Sequence, residues 1–388
     1  MTETVLKPYE GLLIVSLEQA VAAPLASCHF AQGGARVIKV EREGSGDFAR
    51  QYDTAVKGEA SYFVWANHSK ESLSLDIKQP EDLALLLRII ASADIFIQNL
   101  APGAAERAGL GQRILRRRNP RLITCSISGY GDSGSFRDMK AYDFLVQCES
   151  GLVAVNGAPG HPGRIGVSIC DIGASMNAII GIQKALYARN ITGEGSDVSV
   201  SLFDTAADWM TVPLMHADYA GKAPQPAGLK HPSIAPYGGF ATSDGEILAI
   251  SIQNEREWVN FCRMVLESPE LATDPRFESA ALRVANREEL DTVVAQFFAA
   301  RPRAVLEEVL SSASIAYGAV NTVERFAQHP QLRRAKVTLE NGQAAELVAP
   351  PVRHSFDSTD LALGRVPKIG EHSATIRREF APWLGAKE

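Results

Sequence analysis

The sequence predicts an α/β fold with a second, smaller α+β domain, and three observations carry that reading. In the first half, short β-rich apolar runs alternate with stretches of helical spacing, the pattern of a parallel sheet with crossover helices. Composition then shifts at Ala220 to Gly239, AGKAPQPAGLKHPSIAPYGG, a proline- and glycine-rich stretch that reads as a linker or crossing loop. Finally, a chain of 388 residues is long for one hydrophobic core and points to two domains.

Taken in order, Leu12 to Ser16 reads as a strand and Pro24 to Gly33 as a helix. ARVIKV, Ala35 to Val40, is a strand that ends in charge. Ser72 to Leu75 alternates as a short strand, and Glu81 to Ala91 has helical spacing. ADIFIQ, Ala93 to Gln98, is another strand, Gly103 to Ala108 opens a helix, and LITCSIS, Leu122 to Ser128, is a strand. Asp143 to Val155 reads as one helix running into a loop with Gly157, Gly160, Gly163 and Gly166. The stretch Ile165 to Leu186, IGVSICDIGASMNAIIGIQKAL, then places Asp171 where loop turns into helix, ahead of the small residues Gly173, Ala174, Ser175, Ala178 and Gly181. Ser196 to Leu202 is a strand, and Asp204 to Met215 is helical. Beyond the linker, Phe240 to Ile252 reads as a hairpin turning at Ser243-Asp244-Gly245. Helices follow at Glu255 to Leu266, Asn286 to Ala299 and Arg303 to Ala313, then a strand-like Val337 to Leu339 and a turn at Gly342. The tail, Arg353 to Glu388, ends helix-like and is a candidate to return to the first domain. The division is therefore a large α/β domain over 1–219, a linker over 220–239, a small α+β domain over 240–330 and a return segment over 331–388.

A hydrophobic content of 46%, with 22% charged residues, is that of an ordinary globular protein. The net charge of −6 argues against a nucleic-acid or anionic-membrane partner while leaving room for a local basic pocket. Cys28, Cys125, Cys148, Cys170 and Cys262 are odd in number and form no C-x-x-C pair, which reads as reduced thiols in the cytoplasm. The opening MTETVLKPYEGLLIV lacks signal-peptide regions, and no apolar run approaches a membrane span, so a soluble cytoplasmic protein is expected.

The chemistry-bearing residues are few. No H-E-x-x-H and no Cys/His cluster appears, so no metal site is expected. G-x-S-x-G, P-loop and G-x-G-x-x-G signatures are absent too. The loops after the strands carry Arg42, Asn99, Arg107, Arg137 and Lys140. Each alone reads as a solvated charge; together they suit a phosphate-bearing ligand at the sheet's ligand edge. Asp171 has two readings. As an N-cap it would accept hydrogen bonds at the positive end of a helix, although Ala174 leaves no capping box. As a nucleophile it would meet a substrate that the small residues let approach. Asp143 is a second acid or a helix cap, and Cys170 reads as a buried packing residue.

Several stretches, in one order along nearly the whole chain, resemble the family III CoA-transferases, the group of formyl-CoA transferase and carnitine CoA-transferase. They are EQAVAAP (Glu18 to Pro24), GARVIKVEREGSGD (Gly34 to Asp47), LSLDIK (Leu73 to Lys78), IQNLAPGAAERAGL (Ile97 to Leu110), NPRLITCSISGYG (Asn119 to Gly131), KAYDFLVQCESGL (Lys140 to Leu152), the Asp171 segment and PKIGEH (Pro367 to His372). The resemblance implies a large Rossmann-like domain with a parallel sheet built from both chain ends, a small central α+β domain, and a homodimer interlocked as linked rings. It implies coenzyme A as cosubstrate, with no permanently bound cofactor, and an acyl-CoA and a carboxylic acid as substrates. Asp171 falls at the family's nucleophile, which attacks the thioester and forms an aspartyl–acyl anhydride, kept ionised by the helix end and served by glycine amides as oxyanion donors. Val21 and Ala22 are implied to touch pantetheine or base, Arg42 a phosphate, and Leu75 and Lys78 the adenine. Asn99, Leu100, Ala104 and Arg107 are implied at the nucleotide edge, and Lys140 and Tyr142 near the pyrophosphate and active centre.

The sequence departs from formyl-CoA transferases in two places. Only Gly238-Gly239 stands where those have a glycine run, and Val21 stands where a glutamine is frequent. The opening EQAVAAP is closer to members acting on succinyl, malyl, citramalyl or mesaconyl groups. Two other readings stay open. One is α-methylacyl-CoA racemase, whose motif has a histidine where this chain has Tyr142. The other is a non-catalytic CoA-binding protein.

Overall fold

The computed structural model describes residues 7–355 and 362–382; the expectations for the first residues of the chain and for parts of the tail fall outside them. The chain forms two compact units. One takes in Met1–Leu152, Ile165–Thr211 and Arg333–Glu388, the other Val153–Arg164 and Val212–Leu332. The division thus falls at Thr211 rather than after residue 219, and the glycine loop belongs with the central unit. The reason is local: Asn156 Nδ2 donates to the Gly163 carbonyl, and the Gly228 N–H donates to the Gly157 carbonyl, which ties that loop to the proline-rich stretch.

The first unit is built on six parallel strands: β1 (Leu13–Leu17), β2 (Arg36–Arg42), β3 (Glu71–Leu75), β4 (Ile95–Gln98), β5 (Ile123–Ser128) and β6 (Asp197–Ser201). Their order is β3-β2-β1-β4-β5-β6, so the winding reverses between β1 and β4. That reversal opens a crevice beyond the carboxyl ends of the strands, the usual ligand edge of this class. Alternate residues feed two cores. Ile14, Val37 and Ile97 pack on one face; Val15, Ile38 and Phe96 pack on the other. Burial on both faces is why these strands read as continuous apolar runs.

Helices of this unit are α1 (Ala22–Gln32), α2 (Ser61–Asn67), α3 (Pro80–Ala91), α4 (Ala104–Arg107), α5 (Gln112–Arg118), α6 (Asp143–Glu149), α7 (Ile169–Thr192) and α8 (Leu202–Trp209), with Ser373–Glu379 added by the returning segment. The single helix expected over Asp143 to Val155 is broken at Gly151, whose φ of 82° no helix accommodates. α2 and α5 were not expected from the sequence. Each has seven residues, too few for a clear period. α7 runs for 24 residues and ends at Gly193 in the left-handed conformation, a standard stop.

In the central unit, Thr211–Ala220 is helical, and the hairpin is Tyr237–Ala241 with Ile247–Ser251, turning through Gly245 at φ 79°. A third strand, Ala316–Ala319, pairs antiparallel with Ile247–Ser251. Trp258, Phe261, Phe277 and Phe298 fill the core beneath.

The returning segment begins with a hairpin, Arg334–Thr338 against Ala344–Val348, whose Val337 and following Leu339 pack with Phe63 and Val64. It then runs along β3, the edge strand. The Ser72 N–H donates to His372 Nδ1 at 3.1 Å, the His372 N–H to the Ser72 carbonyl at 3.0 Å, and the Ser74 N–H to Ser373 Oγ at 3.0 Å. Among the described residues no helix is long and apolar enough to cross a membrane.

Candidate active site

Asp171 is not the N-cap of α7. Ser168 holds that position, and Asp171 lies in the first helical turn. Ser168 makes no side-chain cap; its hydroxyl lies 3.4 Å from Tyr62 Oη. The cap comes from α6. Asp143 Oδ1 accepts from the Cys170 N–H at 2.7 Å and from the Asp171 N–H at 3.3 Å. Asp143 Oδ2 accepts from Gln147 Nε2 at 2.7 Å, and Gln147 Oε1 accepts from the Ile165 N–H at 2.9 Å.

The Asp171 side chain is half-buried, so a substrate can reach it, yet its surroundings are crowded. Burial, and then the Asp143 charge, push its carboxyl up to about 7. The pull of the helix end toward the ionised form is thus opposed by burial and by Asp143. Desolvation plus a like charge outweighs a dipole worth at most about 2 kcal/mol. The Cys170 thiol, pushed up to about 12 chiefly by burial, is not a nucleophile at neutral pH.

The small residues after Asp171 do not make room for a ligand. A Cβ on Gly173 would collide with the Trp209 ring and come within 2.7 Å of Thr205 Cγ2, and one on Gly181 would lie 2.7 Å from Val198 Cγ1. Ala174, Ser175 and Ala178 are buried. They allow α7 to lie close on α8 and β6. In the glycine loop, the Gly163 N–H is taken by the Asn156 carbonyl.

A cavity of about 530 Å³ opens past the carboxyl ends of β1, β2 and β3, lined among others by Arg42, Leu75, Lys78 and Leu100. The structure brings those four expected contacts together. Val21 and Ala22 cap and open α1, but each is only 3% exposed and has little beyond backbone to offer a ligand. Asn99 is spent internally: its Oδ1 accepts from the Gln19 N–H at 2.9 Å and its Nδ2 donates to the Gln19 carbonyl at 2.8 Å. It holds the β1–α1 turn rather than presenting an amide to a ligand. Arg107, on α4 with half-buried Ala104, gathers with Arg137 around Gly103, whose φ is 73°. Lys140 and Tyr142 are exposed, Tyr142 at 65%.

A buried ion network beneath the turn was not expected from the sequence. Lys39 Nζ meets Asp47 Oδ2 at 2.8 Å, and Lys70 Nζ meets Glu18 Oε1 at 2.7 Å, all four side chains fully buried. Asp47 Oδ1 also accepts from the N–H of Ala20, which has a φ of 65°. Against a burial that would raise it, Lys70 and Lys39 hold the Glu18 carboxyl below its ordinary range. The signal was available: Lys39 is the charge inside VIKVE, and Asp47 ends GSGD.

Comparison with known proteins defines the class. The model of CoA-transferase family III matches residues 9–373, and the chain belongs to that family. It is an enzyme that moves coenzyme A between an acyl-CoA and a carboxylate. The acetyl-CoA:oxalate CoA-transferase of Acetobacter aceti is 34% identical over 96% of this chain and 96% of its own. The succinate–glutarate CoA-transferase of Agrobacterium fabrum is 31% identical, again over 96% of each chain. Among solved structures, a CAIB/BAIF family protein from Brucella suis superposes with a TM-score of 0.82 at 32% identity, covering 96% of this chain and 99% of that one.

Proposed function

We propose that this enzyme transfers coenzyme A from a short acyl-CoA donor to a short dicarboxylic or branched acid, with Asp171 as the nucleophile. The observation that carries the proposal is a reachable carboxylate in the first turn of α7 whose basicity is raised to about 7. One Asp171 oxygen attacks the thioester carbonyl, the C–S bond breaks, and the CoA thiolate leaves an aspartyl–acyl anhydride. Thiolate attack on the aspartyl carbonyl then frees the donor acid. The acceptor carboxylate displaces the thiolate, which returns to the acceptor's carbonyl and regenerates Asp171. Covalent catalysis of this kind divides one hard exchange into easier steps. The substrate range follows the relatives, whose names give oxalate, succinate and glutarate, all short dicarboxylates. Arg42 serves a CoA phosphate at the cavity, where Leu75 and Lys78 border the adenine; Asn99, Leu100, Ala104 and Arg107 lie at the nucleotide edge, and Lys140 and Tyr142 stand near the pyrophosphate and active centre.

The enzyme works as a homodimer of interlocked subunits in the cytoplasm. Two observations support the dimer. On α7, Tyr187 and Ile191 are 71% and 72% exposed, and the helix Thr211–Ala220 buries none of its residues, with Tyr219 87% exposed. Sedimentation is expected to give a dimer; a monomer at micromolar concentration counts against it.

The decisive experiment is a matrix of short acyl-CoAs against mono- and dicarboxylates, read by mass spectrometry, with hydroxylamine trapping of the wild type and of Asp171→Ala. Transfer that depends on Asp171, with a hydroxamate on that residue, is expected. Transfer undiminished in Asp171→Ala would overturn the nucleophile. Exchange of the acyl α-proton into D2O without any acceptor acid would favour the racemase chemistry instead.

A further inference from the structure

The carboxylate of Asp143 has an unusual situation. It is 8% exposed, and Gln147, one turn further along α6, is fully buried. Residues four apart share a helix face, so both aim at the chain leading into α7. Three backbone N–H groups there, those of Ile165, Cys170 and Asp171, end on this pair. Both Asp143 oxygens are engaged, one by the amides and one by Gln147, which fixes the plane of the carboxylate. The residue at the N-cap position is a serine, a good capping type, but its hydroxyl is turned to Tyr62 instead. A neutral hydroxyl has thus been passed over in favour of a buried negative charge from another helix.

We propose that Asp143 is a positioning residue for the reaction: it locks the backbone of Asp171 in the first turn of α7 and, by its charge, makes the Asp171 carboxylate a stronger nucleophile toward the thioester. The inference rests on Asp171 being the nucleophile. Two carboxylates this close oppose each other's ionisation, and a more basic carboxylate attacks a carbonyl faster. Two other groups near Asp171 are moved away from the neutral range. Cys170, its neighbour on α7, is pushed up to about 12 by burial. Tyr52, whose phenol also feels Asp47, Tyr142 and Tyr62, is pushed up to about 12 by burial as well.

The test compares Asp143→Asn with wild type in kcat/KM against pH, in kcat at pH 8 and in KM for acyl-CoA. An asparagine oxygen can still accept the two amides while the charge is lost; its Nδ2 replaces the oxygen that accepts from Gln147 Nε2, so circular dichroism is read first to establish the fold. The acid limb of the profile is expected to move down by about one pH unit, kcat to fall about tenfold, and KM for acyl-CoA to change less than about twofold. An unmoved limb with wild-type kcat overturns the inference and leaves Asp143 a helix cap. Should the asparagine variant not fold, Gln147→Ala, which frees the carboxylate to rotate but keeps its charge, is expected to lower kcat at least about threefold at unchanged KM; wild-type kcat there overturns the positioning role. Hydroxylamine trapping on the wild type separates the two readings. An Asp171 hydroxamate with an unmoved limb removes only the role of Asp143. No hydroxamate removes the nucleophile, and this inference with it.

Discussion

A single side chain, Asp171, links the reaction to stability. Its folded-state carboxyl titrates near 7, above the unfolded value of about 4. The fold therefore binds that proton more tightly than the unfolded chain does. Below about pH 4 both states are protonated and ionisation costs the fold nothing. As pH rises to about 7 the cost grows, and above that it is complete. Asp171→Asn is expected to raise stability by about 1–3 kcal/mol at pH 8, after allowance for partial exposure, with the gain vanishing at pH 4. Urea denaturation at the two pH values measures it, and an equal gain at both would show that the raised carboxyl is not its source. The same titration predicts an activity profile that rises through pH 7.

The long helix α7 shows what was legible at the level of elements and what was not. Its existence and the place of Asp171 near its start followed from spacing and from a loop-to-helix transition. The direction of its small residues did not, because a stripe of glycine and alanine looks the same whether it faces a ligand or another helix. The Trp209 ring against Gly173 decides between the two. Gly173→Ala is accordingly expected to cost about 1–3 kcal/mol, part of it recovered by Trp209→Leu in the same chain. Additive effects in a denaturation cycle would disprove the contact's role. The parallel strands were legible because burial on both faces writes itself as apolar runs. Four of the expected coenzyme contacts converge on one cavity because they lie at or just beyond the carboxyl ends of β2, β3 and β4, as topology dictates. Asn99 and the Lys39–Asp47 pair escaped because sequence cannot say whether a polar side chain turns toward solvent or back into its own turn. The second acid of the site was seen only as an alternative, since a separation of 28 positions between Asp143 and Asp171 carries no periodic signal that they meet.

At the scale of the whole chain, the first unit is discontinuous. It is left at Thr211 and rejoined at Arg333. The rejoining segment carries PKIGEH, a stretch whose family signature the fold explains by its place along β3. A chain ending at residue 362 loses the helix Ser373–Glu379 and is expected to keep the earlier helices but to self-associate, as light scattering against the full chain would register; a monodisperse truncated protein would show that the tail is dispensable. During synthesis this has a timing consequence. β3 leaves the ribosome about 300 residues before His372 and Ser373, which cover its open edge. For most of translation the nascent protein displays an unpaired strand, the feature that seeds strand-to-strand aggregation. His372 and Ser373 thus close a contact spanning about 300 residues of chain, and until they are made the outer side of β3 stays open to another strand.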